Sequence, residues 1–199
     1  MSLLEALAAP AAPDDAASAK ILDAALALAA ESGLRNLTMD DVARRAGVGR
    51  MTVYRRFGDR GRLVEALTQR EAAAFLAHMD AASRPEDPID EQVAAGFATG
   101  LRLAREHPLL TRLARIEPDT VVHSLRGELF AVCRTFLAER LRAAQQAGTL
   151  RADAEVDAAA ELLIRLMVSF VLLEDSVLPL EDDEAARGVA RRLVAPVLS

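Results

Sequence analysis

The chain has 199 residues, 52% of them hydrophobic, with a formal net charge of −6, which is enough material for one or two helical domains with real cores. No stretch approaches the roughly 18 uncharged apolar residues that a bilayer span requires; the longest apolar run, Leu166 to Leu173, is closed by Arg165 and Glu174 and reads as a buried helix. A single cysteine, Cys133, excludes an intrachain disulfide framework and fits a reducing cytoplasm, and the early Glu5, Asp14 and Asp15 do not suit a signal peptide.

The charge is unevenly distributed. Residues 18–62 hold nine basic side chains (Lys20, Arg35, Arg44, Arg45, Arg50, Arg55, Arg56, Arg60 and Arg62) against five acidic ones, a balance of +4, so the remainder carries −10. A basic nucleic-acid face joined to an acidic body accounts for such an asymmetry.

In chain order, residues 1–16 are rich in Ala and Pro and read as a loose arm. From Ser18 to Ser32, Ile21, Leu22, Ala25, Leu28 and Ala29 recur at helical spacing, and Gly33 supplies a C-terminal cap. Thr38 followed by Asp41 predicts a variant capping box opening a short helix that buries Val42 and Ala43. Gly47 marks a turn, Arg50 to Phe57 form a third helix, and Gly58-Asp59 breaks and recaps the chain before a helix to about residue 82. Helices are expected beyond it at about 90–106, 108–116, 120–147, 153 or 157 to 175, and 182–198, with Pro118 and Pro179 as breaks. The fold class is all-α, about nine helices: a helix-turn-helix domain at 17–64 and a helical body at 65–199.

Short helix, glycine turn, short helix is the arrangement whose second helix enters a major groove of double-stranded DNA. At about 100° per residue, Val53 and Phe57 face inward, while Met51, Thr52 and Arg55 share the opposite face. Arg55 suits a guanine edge, and the methyls of Met51 and Thr52 suit a thymine methyl. Tyr54 and Arg56 flank that face as phosphate contacts, Arg50 opens the helix, and Thr38 and Arg60 begin the neighbouring helices near phosphate. The bland alternative makes Tyr54 a core residue and the arginines a solvated face.

The stretches Ala19 to Ala25, Leu37 to Ala43, Ala46-Gly47-Val48 and Thr52-Val53-Tyr54-Arg55-Arg56-Phe57, with Asp59-Arg60 and Leu63, resemble the DNA-binding domain of the tetracycline-repressor (TetR) family. Gly49 stands where that family usually has serine, Ala29 where phenylalanine often sits, and Gly61 where an acidic residue is common. The resemblance implies a homodimer on a palindromic operator, paired through two C-terminal helices. On those helices Leu162, Leu163, Leu166, Met167 and Phe170 form one apolar stripe and Val189, Leu193 and Val197 another. Either stripe could instead close the protomer's own core. It also implies a repressor released by a small apolar or amphipathic effector, with Phe75, His78, Phe97, Leu101, Leu110, Phe130, Cys133 and Phe136 as candidate wall residues. Activation, or a ligand-dependent protein partner, are the alternatives.

Arg165, inside the most apolar helix, needs a partner or a route to solvent, and an ion pair with an acidic residue is read ahead of a ligand contact. His78, His107 and His123 lack metal-binding spacing, and no phosphate loop or nucleophile motif is present. No enzyme activity, metal or cofactor is therefore expected.

Overall fold

A computed structural model describes residues 15–124, 128–173 and 175–198. All regular structure among these residues is helical: α1 (Ala16–Ser32), α2 (Met39–Ala46), α3 (Arg50–Phe57), α4 (Arg60–Asp80), α5 (Ile89–Glu106), α6 (Pro108–Ile116), α7 (Pro118–Ser124), α8 (Glu128–Ala147), α9 (Val156–Leu172) and α10 (Asp183–Val189). A π turn at Ala190–Val194 and a 3-10 turn at Ala195–Leu198 follow. Of the arm expected at 1–16, residues 1–14 lie outside the described part. Ala16 already belongs to α1, and the Asp15 carboxylate caps it by accepting from the amides of Ala17 at 3.0 Å and Ser18 at 2.8 Å.

The chain divides into two compact units. The first joins the residues up to Ala74 with His107–Val121, and the second joins Phe75–Glu106 with the residues from Val122 on. The body expected to begin at residue 65 thus lends α6 to the N-terminal unit. There α6 packs on α1, with Leu109 and Leu113 on its buried face.

The core of the first unit is set by the helical spacing of Ile21, Leu22, Ala25 and Ala29 on α1, joined by Leu37, Val42, Val53, Phe57, Leu63 and Leu67. Val53 and Phe57 are the two inward positions of α3, which fixes its opposite face outward. In the second unit, Phe97 and Leu101 of α5 pack with Val189, Ala190 and Val194, and the ring of Phe170 meets Phe97 edge-on at 5.5 Å. A second cluster joins Leu141 and Ala144 of α8 to Val156 and Ala160 of α9.

Two helical stretches differ from expectation. The helix expected at 120–147 begins earlier, at Pro118, and is described over 118–124 and 128–147, residues 125–127 lying outside the described part. Pro118 opens a helix rather than only ending one, because at the first helical position its missing N–H has no partner to lose. The last helix, expected over 182–198, keeps α-geometry only to Val189. Pro196 has no N–H to give and its ring crowds the carbonyl four residues back, and just before it the Ala195 amide reaches five residues back to Ala190.

Candidate nucleic-acid interface

Helices α2 and α3 are joined by the turn at Gly47-Val48-Gly49. Gly47 adopts φ 66° and ψ 31°, the left-handed conformation that glycine takes without penalty, and its amide closes the C-terminus of α2. The Thr38 hydroxyl accepts from the Asp41 amide at 3.1 Å and donates to the Asp41 carboxylate at 2.6 Å. This differs from a full capping box. Aspartate is one methylene shorter than glutamate, and here its carboxylate meets the threonine hydroxyl rather than an amide. Gly49 precedes α3 and offers no side-chain cap, so the first amides of α3 have no side-chain acceptor from it.

The outward face of α3 carries the residues expected to read bases. Met51 is 74% exposed, Thr52 is half-buried, and Arg55 is exposed. Among the described residues Arg55 makes no ion pair or hydrogen bond, which leaves its guanidinium fork available. At the start of α3, Arg50 pairs with Asp40 at 2.9 Å and lies over the Tyr54 ring at 5.3 Å. Tyr54 is half-buried, so it is neither core nor wholly solvent-facing.

Much of the positive charge in this segment is already matched. Arg35 pairs with Asp119, Arg44 with Asp41, Arg45 with Glu31 and Arg56 with Asp15. Arg60 is different: among the described residues its guanidinium donates to backbone carbonyls only, to Leu37 at 2.8 Å, Leu34 at 2.5 Å and Arg35 at 3.3 Å. Carbonyls orient a cation without cancelling its charge. Arg56, expected on a phosphate-facing flank, is turned inward, and sequence spacing gave no signal of this because its partner lies 41 residues away.

A second arrangement in the N-terminal unit went unrecognised in the sequence. His107 caps α6 by accepting from the Leu110 amide through Nδ1 at 3.3 Å, so its proton sits on Nε2, which donates to Glu71 at 3.1 Å. Burial alone would raise the Glu71 carboxyl, but hydrogen bonds from His107 and Arg70 outweigh it and hold the group below the ordinary range. Arg70 also reaches Asp23 at 2.7 Å, linking α4 to α1. This is a structural network, and it exposes no reactive group.

The eight candidate effector-wall residues are distributed as follows. Phe97 and Leu101 lie in the α5 core, and Phe130, Cys133 and Phe136 share α8, Phe136 being buried. Phe75 and His78 sit near the end of α4, His78 exposed, and Leu110 belongs to α6. Burial pushes the Cys133 thiol up to about 11, so it is neutral and unreactive at ordinary pH. An open depression of about 300 Å³ is lined by Leu101, Arg102, Arg105, Glu106, Asp182 and Asp183 among others. Of the expected wall residues it includes Leu101.

Arg165 has the acidic partner expected for it: Glu161, at 2.7 Å on the same helix, with the Phe130 ring 5.4 Å beneath the guanidinium. Of the expected dimer residues, Leu162, Leu193 and Val197 are exposed, while Leu163, Leu166, Met167 and Phe170 are partly buried against the α5 core. Val189 is 1% exposed inside that core, which removes it from any surface. Among the described residues no helix is long and apolar enough to cross a membrane, and no group of three or more His, Cys, Asp or Glu is placed to hold a metal.

An outward-facing second helix, a glycine turn and a capped first helix define a helix-turn-helix DNA-binding protein. Residues 21–67 match the family model described as bacterial regulatory proteins, tetR family. That segment is similar to the DNA-binding domain of the TetR family of transcriptional regulators.

The chain is 29% identical over 86 residues to the nucleoid occlusion factor SlmA of Actinobacillus pleuropneumoniae, covering 43% of each chain. It is 33% identical over 129 residues to the HTH-type transcriptional regulator AqdR of Rhodococcus erythropolis, covering 64% of this chain and 57% of that protein. The matched segments thus span only about half the length of these relatives. Among solved structures, the TetR family repressor AlkX from a Dietzia strain superposes with a TM-score of 0.64 at 27% identity, over 91% of this chain and 94% of that one.

Proposed function

We propose that this regulator is a dimeric repressor that reads a palindromic operator with two copies of α3. The observation that carries the reading is the outward face of α3, where Arg55 is exposed and uncommitted beside Met51 and Thr52. In this reading those three residues contact base edges. Thr38, Arg50, Tyr54 and Arg60 hold phosphates, Arg60 because its carbonyl partners keep the guanidinium fixed and still charged.

Dimerisation is supported by Leu162 on α9 and Leu193 and Val197 in the last turns, large apolar side chains left in solvent on the two segments that the family uses for pairing. Two half-sites also supply the base pairs that one eight-residue helix is too short to read alone.

The release signal in this reading is a small apolar or amphipathic effector taken up by the helical body, and the protein works in the cytoplasm. The aromatic and aliphatic residues of α5 and α8 support an apolar ligand. So does the likeness to AlkX, a repressor implicated in biodegradation of n-alkanes. Effector and operator must then oppose each other by the same factor.

Footprinting on the DNA flanking the protein's own gene, with and without medium-chain alkanes and fatty acids, tests the reading. It predicts a protected palindrome that is lost on adding a ligand. An unprotected region, or one unaffected by ligands that bind the protein, contradicts it.

A further inference from the structure

Arg56 occupies the last turn of α3, next to the base-reading Arg55, and sequence spacing alone sends it towards a phosphate strand. The structure gives it another task. Its NH1 donates to the second oxygen of Asp15, whose first oxygen caps α1, and to Ser18 Oγ at 3.0 Å. Ser18 is 2% exposed and the Arg56 side chain 19% exposed. Arg56 Nε is buried without a hydrogen-bond partner among the described residues, so this edge of the guanidinium faces the protein.

We infer that Arg56 is a positioning residue: its ion pair with Asp15 locks the end of the recognition helix to the start of α1, and it is not a phosphate ligand. This rests on the DNA-reading role of α3. Its charge is already matched by the Asp15 carboxylate, 43% exposed, while its own side chain is 19% exposed, so moving it to phosphate would strip Asp15 of its partner and pull Arg56 away from Ser18. Arg60 is the internal contrast, since its partners are neutral carbonyls. The Asp15 carboxyl is held below its ordinary range by the Ser18 amide and by Arg56, in keeping with a formed pair. With both oxygens of one aspartate engaged, the cap of α1 and the set of α3 depend on the same side chain.

The test compares the full-length protein with Arg56→Ala, Arg60→Ala, Asp15→Asn and the Asp15→Asn/Arg56→Ala double variant. Asparagine still caps a helix, so Asp15→Asn weakens the pair without unfolding α1. Each protein is titrated over a range of salt onto two duplexes, one of random sequence and one from the region footprinted upstream of the gene.

Arg60→Ala should flatten the slope of log K against log salt by about 0.9, the loss of one phosphate contact. Arg56→Ala should keep the wild-type slope yet lower the preference for the upstream duplex by about tenfold. Asp15→Asn should lower that preference too, and the double variant should lose no more than the worse single one. A slope reduced by about 0.9 in Arg56→Ala, or an unchanged preference in Asp15→Asn, would overturn the inference.

Thermal unfolding of wild type, the two single variants at Asp15 and Arg56 and their double variant, all without DNA, tests the pair independently. Non-additive losses support the pair, and strictly additive ones contradict it. Should the wild type show no salt-dependent DNA binding, the DNA-reading role fails, and the unfolding cycle still decides the pairing.

Discussion

A methyl group on Gly33 would overlap Oε1 of Glu117, so any larger residue at the end of α1 makes the buried carboxylate between α6 and α7 shift. Gly33 has φ 86° and ψ 161°, a region open in practice to glycine alone. Gly33→Ala should therefore destabilise the protein by more than the ~1–3 kcal/mol of backbone strain, because Glu117 must also move. Gly148→Ala is the control: φ is 78° but nothing lies within 4 Å, so it meets the strain without the clash. Thermal unfolding of both variants checks this. Equal losses would mean that Glu117 gives way freely.

The pair of Glu71 and His107 predicts a particular acid response. The folded carboxyl lies below its ordinary 4.5, so its stabilising contribution is complete above that pH and is lost as pH falls through the lowered value. Glu71→Gln should cost about 1–2 kcal/mol near neutrality and flatten the acid limb of the stability curve below about pH 4.5. Denaturant titrations across pH measure it. Parallel curves for the two proteins would show that the carboxylate contributes nothing.

The apolar stripes near the C-terminus separate into two kinds of residue. Leu162 is 44% and Leu193 57% exposed, whereas Val189 lies in the core. Leu162→Asp and Leu193→Asp should leave each protomer folded and convert a dimer to monomers, because a charge at the centre of an apolar interface loses its hydration without gaining a partner. Val189→Asp should instead unfold the second unit. Sedimentation velocity with circular dichroism distinguishes the outcomes. A wild type that is monomeric at micromolar concentration would contradict dimerisation through this face.

Local chemistry was legible in the sequence wherever a short-range rule decided it. The glycine at 47, the cap at Thr38 and the inward pair Val53 and Phe57 fixed the helix-turn-helix, because each acts within a few residues of itself. Burial patterns also located α5, α6 and α9 to within a few residues. The start of α7 was not legible, since Pro118 serves equally as a stop or as a first helical residue. The loss of α-geometry after Val189 was missed because apolar spacing carries on past it, whereas Pro196 has no amide to continue the helix. At the interface, sequence spacing placed Arg55 and Arg56 on neighbouring faces but could not see Asp15, which turns one of them inward. Val189 looked like part of a surface stripe for the same reason: helical periodicity gives a face, and only packing says what covers it.

The central claim is that α3 reads bases through Arg55. Its most direct test is the affinity of wild type and Arg55→Ala for the footprinted upstream duplex relative to a random duplex, at fixed salt. The expected result is a loss of about 1–3 kcal/mol in the upstream preference, concentrated at one guanine of each half-site. If Arg55→Ala binds both duplexes as the wild type does, or weakens on both by the same factor, Arg55 does not read sequence and the face assigned to DNA is wrong.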